Sequence, residues 1–181
     1  MSDSFAVLGF EPGLCLSEEE LTEAYDERCR EHHPDRGGEA GKFAAVQEAY
    51  AVLRDPGRRL RAWVEQQGGK VGAVTDEETL AWFTRVGELL ARADEVRSRK
   101  EKGQSALVRA MAGKEALPLL GEIEDLRGEL EVIRGEIVAR FREFEEGGAD
   151  GLAEAIAAAG RWTFLDRWDG ELRERWISLG M

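Results

Sequence analysis

Cysteine, histidine and proline are scarce in this 181-residue chain, and each scarcity narrows the choice of fold and chemistry. The two cysteines, Cys15 and Cys29, do not form the closely spaced pairs that a zinc site needs. We expect both thiols to stay reduced, as they do in cytoplasmic proteins. Only four prolines interrupt the chain, so long stretches are free to form helix.

Long apolar runs and basic runs are also missing. No apolar stretch approaches the roughly 20 residues that cross a bilayer, and residues 1–4 do not begin a signal peptide. The formal net charge is -12 and no basic patch is visible, which argues against binding nucleic acid or an anionic membrane surface. The sequence therefore predicts a cytoplasmic protein whose partners are other proteins.

Groups that could perform catalysis or hold a cofactor are few. His32 and His33 are adjacent, so they point to different sides of a helix and cannot chelate a metal as an i, i+4 pair can. No nucleophile stands beside a base, and residues 68–70 lack the spacing of a phosphate-binding loop. We predict that the chain is not an enzyme and has neither a cofactor nor a metal site.

Helical patterns dominate what is present. Ser17 and Glu20 form a capping box that opens a helix, and this helix must end before Pro34. A loop over 34–38 leads to a second helix that begins near residues 39–41 and stops at 55–57. A shorter helix follows over 58–67. The second helix has an apolar face made of Phe43, Val46, Tyr50 and Leu53.

The glycine-rich stretch 68–72 is the best domain boundary, which predicts one domain over 1–70 and another over 71–181. Thr75 and Glu78 predict a second capping box. The charged stretch that ends at Gly103 predicts a turn near residue 100, and Pro118 is predicted in the first turn of the next helix. The helix after the capping box is striped by Leu80, Phe83, Val86, Leu90 and Ala93.

The C-terminal half carries a stepped three-and-four pattern that predicts a coiled-coil seam ending at residues 147–148. We therefore expect an all-α protein, in which a helical hairpin is followed by a small antiparallel bundle. Self-association through this bundle is an option, as is a role for residues 97–120 in extending the coiled coil. The seam consists of Leu119, Ile123, Leu126, Leu130, Ile133, Ile137, Phe141 and Phe144.

One tripeptide in the N-terminal hairpin carries a resemblance. His33-Pro34-Asp35 stands between two amphipathic helices, and the second helix contains Gln47-Glu48-Ala49-Tyr50 and then Asp55-Pro56. This order resembles the J domain of DnaJ-type co-chaperones over roughly residues 4–67. The tripeptide alone would be an ordinary turn, since proline and aspartate both favour turns; its frame makes the resemblance specific.

The resemblance implies a docking role for the loop rather than catalysis. Pro34 stiffens the loop, which lowers the entropy lost on binding. In J domains the aspartate and its neighbours contact the nucleotide-binding domain of a DnaK/HscA-type chaperone and speed its ATP hydrolysis. The chaperone-binding residues that we predict on this basis are His33, Pro34, Asp35, Tyr25, Arg28, Arg30 and Arg36.

The charge of the first hairpin helix departs from the family. J domains usually carry basic residues after the tyrosine, where this chain has Asp26 and Glu27. Because complementary charge governs association rate and partner choice, a specialised partner chaperone would fit this helix. The alternative is a degenerate J domain in a protein that acts as a coiled-coil interaction scaffold.

The second domain adds a narrower resemblance. A J domain followed directly by a helical bundle is similar to the HscB family of iron–sulfur cluster assembly, and residues 161–168 match the end of that bundle best. The resemblance implies that Phe164 binds the iron–sulfur scaffold protein, with Trp82, Phe83 and Val86 as candidates on the first bundle helix. The competing interpretation places these side chains in the core, because aromatic residues at helical spacing are more often buried.

Overall fold

A computed structural model describes residues 3–33, 39–72 and 76–180 of the protein. Every regular element in these ranges is a helix, so the predicted all-α fold is confirmed. The helices are α1 (Ser4–Leu8), α2 (Glu18–His32), α3 (Ala40–Arg54), α4 (Pro56–Gln66), α5 (Glu77–Lys102), α6 (Ala106–Ala139), α7 (Phe141–Glu146) and α8 (Gly148–Gly180).

The chain folds into two compact units. The first unit contains Met1–Gly72 together with Ile137–Gly160, and the second contains Ala73–Glu136 together with Arg161–Met181. The prediction of one bundle over 71–181 is corrected here, because residues 137–160 pack with the N-terminal segment. The functional division into a J domain and a client-binding bundle stays a prediction.

Helix α2 begins and ends where local sequence signals place its ends. The Ser17 side chain accepts a hydrogen bond from the Glu20 backbone N–H, and the Glu20 carboxylate accepts one from the Ser17 N–H at 3.0 Å. Asp55 ends α3 and also caps α4, whose first residue is Pro56. Apolar side chains of α1 to α4 and of the loop before α2 form the core of the first unit, which includes Phe5, Leu8, Leu14, Leu21, Val46, Leu53, Leu60 and Val64.

The segment that joins α6 to α8 belongs to the first unit. Helix α6 ends at Ala139, and Phe141 and Phe144 of α7 are buried. The junction between α7 and α8 requires glycine, because Gly148 has a φ of 57° and a Cβ atom on Gly151, in the first turn of α8, would lie 2.5 Å from the Phe144 carbonyl oxygen. The prediction of one continuous seam from Leu119 to Phe144 is therefore wrong.

The second unit is built on an antiparallel pair of helices. Arg85, Arg92 and Arg99 of α5 pair with carboxylates of α6 at N–O distances between 2.6 and 2.9 Å. Their partners are Glu129, Glu122 and Glu115, respectively. Each step of seven residues towards the C-terminus of α5 therefore corresponds to a step of seven residues towards the N-terminus of α6. These pairs are exposed, so each contributes roughly 0.2–1 kcal/mol at most, and their value lies in fixing the register.

The second half of α8 completes this unit. Arg175 of α8 lies 3.3 Å from Asp94 of α5, and the Lys100 ammonium donates to the Leu179 carbonyl at 2.8 Å. Helix α8 therefore runs parallel to α5. The core between the three helices includes Val86, Leu89, Ala93, Val96, Leu119, Ile123, Leu126, Leu130, Leu165, Trp168 and Leu172.

Two predicted helix starts are wrong. Asp76, not Thr75, is the N-cap of α5, since its carboxylate accepts from the Thr79 N–H at 2.7 Å; Thr75 itself lies outside the described residues. Pro118 does not open a helix but lies inside α6. It is tolerated there because its position is exposed, where the carbonyl freed by the missing N–H remains accessible to solvent.

Candidate functional site

Helices α2 and α3 form a hairpin that carries the predicted chaperone-binding residues. Tyr25 stacks on Tyr50 with ring centroids 4.2 Å apart. At the other end, His33 is the C-cap residue of α2 and its half-buried ring meets Phe43 edge-on at 5.5 Å. The hairpin thus brings His33 to the bend. Pro34, Asp35 and Arg36 lie outside the described residues, and their docking role stays a prediction.

The exposed surface of α2 is acidic. Seven of its fifteen residues are acidic and two are arginine, so the helix carries negative charge towards any partner. Asp26 and Glu27 are exposed, and the described residues provide no ion pair for either side chain. The net charge of helix α2 is therefore opposite in sign to that of the basic helix that the family resemblance implies.

The two arginines of α2 already have intramolecular contacts. Arg28 pairs with Glu31 at 3.0 Å, and its guanidinium lies close above Gly9, where a Cβ atom would approach it to 2.9 Å. Arg30 donates to the Asp26 carbonyl at 3.1 Å. A partner that uses Arg28 would compete with these contacts, whereas Arg30 is exposed. Their predicted role in chaperone docking stays a prediction.

Residues 137–160 support the loop that precedes α2. The Glu145 carboxylate accepts from the backbone N–H of Leu14, by a short contact, and from that of Cys15 at 3.4 Å. Burial, with the neighbouring Glu145, raises the pKa of the Cys15 thiol. The buried Arg59 donates to the Leu16 carbonyl at 3.3 Å and lies 5.8 Å from the Phe141 ring centroid.

An aromatic cluster in the second unit contains the predicted client-binding residues. Phe83 lies 5.0 Å from both Phe164 and Trp168, edge-on in each case, and Phe164 stacks on Trp168 at 5.8 Å. Trp82 stacks on Trp168 at 6.4 Å. Phe83 is 38% exposed, and Trp82 and Phe164 are half-buried. Three of the four predicted residues therefore reach the surface side by side.

Val86 is the exception among the predicted client-binding residues. It is 2% exposed and lies in the core, so the expectation that it reaches the surface is wrong. The core face of α5 runs through Thr79, Val86, Leu89, Ala93 and Val96, which turns Leu80 outward with 55% exposure. Leu80, one helical turn before Phe83, is therefore the aliphatic residue of α5 that lies beside Phe83 at the surface, whereas Val86 is buried.

Trp168 is a member of the cluster that is not among the predicted client-binding residues. It is only 3% exposed, yet it contacts all three aromatic rings of the cluster and holds them in place. Its spacing of four from Phe164 on one helix was the available signal. We name the surface formed by Leu80, Trp82, Phe83 and Phe164 over Trp168 the aromatic patch.

One arginine fixes α8 against α5 beside the aromatic patch. Arg161 lies 3.0 Å from Asp76 and 3.3 Å from Glu78. The hydrogen bond from the Thr79 backbone N–H, followed by the hydrogen bond and charge of Arg161, lowers the pKa of the Asp76 carboxyl below its ordinary value. The cap of α5 and the position of Phe164, one turn after Arg161, are thereby linked.

Comparison with known proteins agrees with the N-terminal geometry. Residues 3–61 match the DnaJ domain family. These residues form a DnaJ domain. Chaperone protein DnaJ of Caulobacter vibrioides is 40% identical over 63 residues, which is 33% of this chain and 16% of that protein. DnaJ homolog subfamily A member 2 of Homo sapiens is 43% identical over 56 residues, 30% of this chain and 13% of that one. The chain thus spans between about an eighth and a sixth of the length of these relatives.

A solved structure extends the similarity beyond the DnaJ domain. Chaperone HscB from Vibrio cholerae superposes with a TM-score of 0.56, covering 95% of this chain and 96% of its own at 16% identity. At that identity the comparison establishes a shared fold, and the J domain followed by a helical region is therefore confirmed as the architecture.

Neither membrane-spanning helices nor metal clusters are found in the part of the chain that the structure describes. None of the helices in the ranges 3–33, 39–72 and 76–180 combines the length and apolar character needed to span a bilayer. Over the same ranges, no three His, Cys, Asp or Glu side chains come together as potential metal ligands.

Proposed function

We propose that this chain is a co-chaperone whose DnaJ domain stimulates ATP hydrolysis by a DnaK/HscA-type chaperone without hydrolysing ATP itself. The observation that carries the proposal is the α2–α3 hairpin with His33 at its bend, packed edge-on against Phe43 at 5.5 Å. A ring held in this way is ordered before a partner arrives, so less entropy is lost on docking. The match of residues 3–61 to the DnaJ domain family supports it.

A steady-state ATPase assay with a DnaK/HscA-type chaperone tests this proposal. We expect His33→Gln to abolish the stimulation while the helical circular dichroism signal is unchanged. His32→Gln is the matched control, because it removes the same imidazole from the adjacent half-buried position. Equal stimulation by the wild type and His33→Gln would refute a docking role for the hairpin bend.

We further propose that the aromatic patch binds the client, and that the client is the scaffold protein of iron–sulfur cluster assembly. The patch supports this because exposed apolar side chains that adjoin one another usually mark an interface. The fold shared with the chaperone HscB from Vibrio cholerae supports the choice of client. We also propose a cytoplasmic location, where such a chaperone would be encountered.

The acidic surface of α2 favours a second candidate function. Seven carboxylates against two arginines oppose docking to an acidic chaperone surface. In that case the DnaJ domain would have lost its stimulatory activity, and the chain would act as an interaction scaffold through its helical bundle. Absence of ATPase stimulation, with intact binding of a client to the aromatic patch, would identify this function.

A further inference from the structure

Helix α6 exposes more large apolar side chains than any other helix among the described residues. Nine large apolar side chains are exposed in those ranges, and five of them belong to α6. Leu107 is 69% exposed, Leu117 67% and Val132 62%. All five lie within the second unit. Val108, four residues before the buried Ala112, is on the core side of the helix. Leu107, Leu117 and Val132 are on the side of α6 opposite to the buried Ile123 and Leu130. The described fold leaves this face without a covering element.

Three of these exposed side chains, Leu107, Met111 and Val132, fall on a heptad pattern that differs from the buried one. Positions seven residues apart are occupied by Leu107, Lys114, Gly121 and Gly128, and four residues after each come Met111, Pro118, Asp125 and Val132. All eight positions are exposed. We name these eight residues the outer seam. Alternating steps of four and three are the spacing by which one helix packs along another.

We infer that the outer seam pairs with the outer seam of a second copy of this chain, in antiparallel orientation. The charges favour this partner, because Lys114 lies near one end of the seam and Asp125 near the other. When Lys114 faces Asp125 of the second copy, Leu107 faces its Val132. In the same register Met111 faces Gly128 and Pro118 faces Gly121, so each bulky side chain meets a position with no side chain.

Two-fold symmetry doubles every one of these contacts. The same patch serves both copies, so each Lys114–Asp125 pair and each Leu107–Val132 contact occurs twice. A parallel pair would instead place Lys114 against Lys114 and Asp125 against Asp125. Neither Lys114 nor Asp125 has an ion-pair partner within residues 76–180 of the structure, so both are available to a second copy. The seam from Leu107 to Val132 spans about 39 Å of helix, at 1.5 Å per residue.

Charge exchange tests the pairing with the full-length protein. Lys114→Asp places two aspartates opposite each other, and Asp125→Lys places two lysines opposite each other. We expect each variant to dimerise about tenfold more weakly than the wild type in sedimentation equilibrium, because two surface ion pairs become repulsive. An equimolar mixture of the two variants restores complementary charges, and it should form heterodimers as tight as the wild-type dimer.

Controls separate this pairing from other association. Lys70→Asp changes the same charge at an exposed position outside α6 and should leave the dimer unchanged. Leu107→Asp combined with Met111→Asp should abolish dimerisation while the circular dichroism spectrum is retained. A wild type that is monomeric at every concentration overturns the inference. So does a dimer that neither charge variant weakens, or a mixture of the two that dimerises no better than each alone.

Discussion

Removal of the Glu145 carboxylate tests whether residues 137–160 stabilise the DnaJ domain with which they share the first unit. This carboxylate accepts from the backbone N–H groups of Leu14 and Cys15, about 130 residues earlier in the chain. Leu14 is fully buried, so water cannot replace the lost acceptor. An unsatisfied buried donor destabilises a protein by roughly 1–3 kcal/mol. We expect Glu145→Ala to lower the free energy of unfolding by about 2 kcal/mol.

Glu145→Gln distinguishes the charge of the acceptor from its presence. The amide oxygen of glutamine can still accept one hydrogen bond, so only the extra strength of a charged acceptor is lost. We expect about half of the effect, or ~1 kcal/mol. Glu146→Ala is the matched control, since Glu146 is the exposed neighbour on α7 and such surface changes stay within about 0.5 kcal/mol.

Urea unfolding followed by circular dichroism measures these differences, and amide hydrogen exchange locates them. We expect the Leu14 amide to lose protection in Glu145→Ala while the amides of α5 keep theirs, because α5 belongs to the other unit. If Glu145→Ala unfolds at the same urea concentration as Glu146→Ala and the Leu14 amide stays protected, the carboxylate does not hold the loop. Residues 137–160 would then be a neighbour of the DnaJ domain rather than a support.

Three other perturbations address the acidic helix α2, the aromatic patch and the cap of α5. Replacing Asp26 and Glu27 by lysine should speed association with an acidic DnaK-type chaperone, and added salt should slow the variant but not the wild type, as stopped-flow kinetics would measure. Phe164→Ala should weaken binding of the scaffold protein by about 2 kcal/mol or more, as measured by calorimetry. Leu130→Ala, a change in the core, should instead lower the free energy of unfolding by about 2–5 kcal/mol without that loss of affinity. Equal affinity of Phe164→Ala and the wild type would contradict a client contact. Asp76→Ala should destabilise the protein by about 1 kcal/mol at neutral pH. Because the folded pKa of Asp76 is lowered, this difference is complete above its ordinary pKa and disappears as acid titration passes through the lowered value.

Local signals in the sequence were sufficient for the DnaJ hairpin. The capping box at the start of α2 involves only Ser17 and Glu20, and its end is set by the nearby Pro34. Each signal is local, so both ends of the helix can be predicted without knowing the fold. The start of α5 was harder, because Thr75 and Asp76 are both good caps. Asp76, which is the cap in the structure, also accepts a hydrogen bond from Arg161, 85 residues later in the chain, and local sequence does not reveal this contact.

The faces of the second unit were only partly predictable for a similar reason. Helix α5 has apolar residues on two overlapping stripes, one through Leu80 and Phe83 and the other through Leu89 and Val96, and periodicity cannot say which is buried. The register with α6 settles this, because the Arg85–Glu129 and Arg92–Glu122 pairs orient the helix. Phe83 is left at the surface as a consequence of packing that sequence spacing does not encode.

The proposed client contact at the aromatic patch would depend on rings that are ordered before the client binds. Phe83 and Phe164 are each held by Trp168, which is 3% exposed and therefore fixed by the core. Rings ordered in advance lose little side-chain entropy when a client covers them, and an aromatic anchor in a desolvated pocket supplies most of the affinity at many interfaces. Trp168→Leu should therefore lower the affinity for the client, because both rings become mobile, although Trp168 itself would not contact the client. A variant that keeps full affinity while its Phe83 and Phe164 rings become mobile by NMR would show that the order of the rings is not what the client recognises.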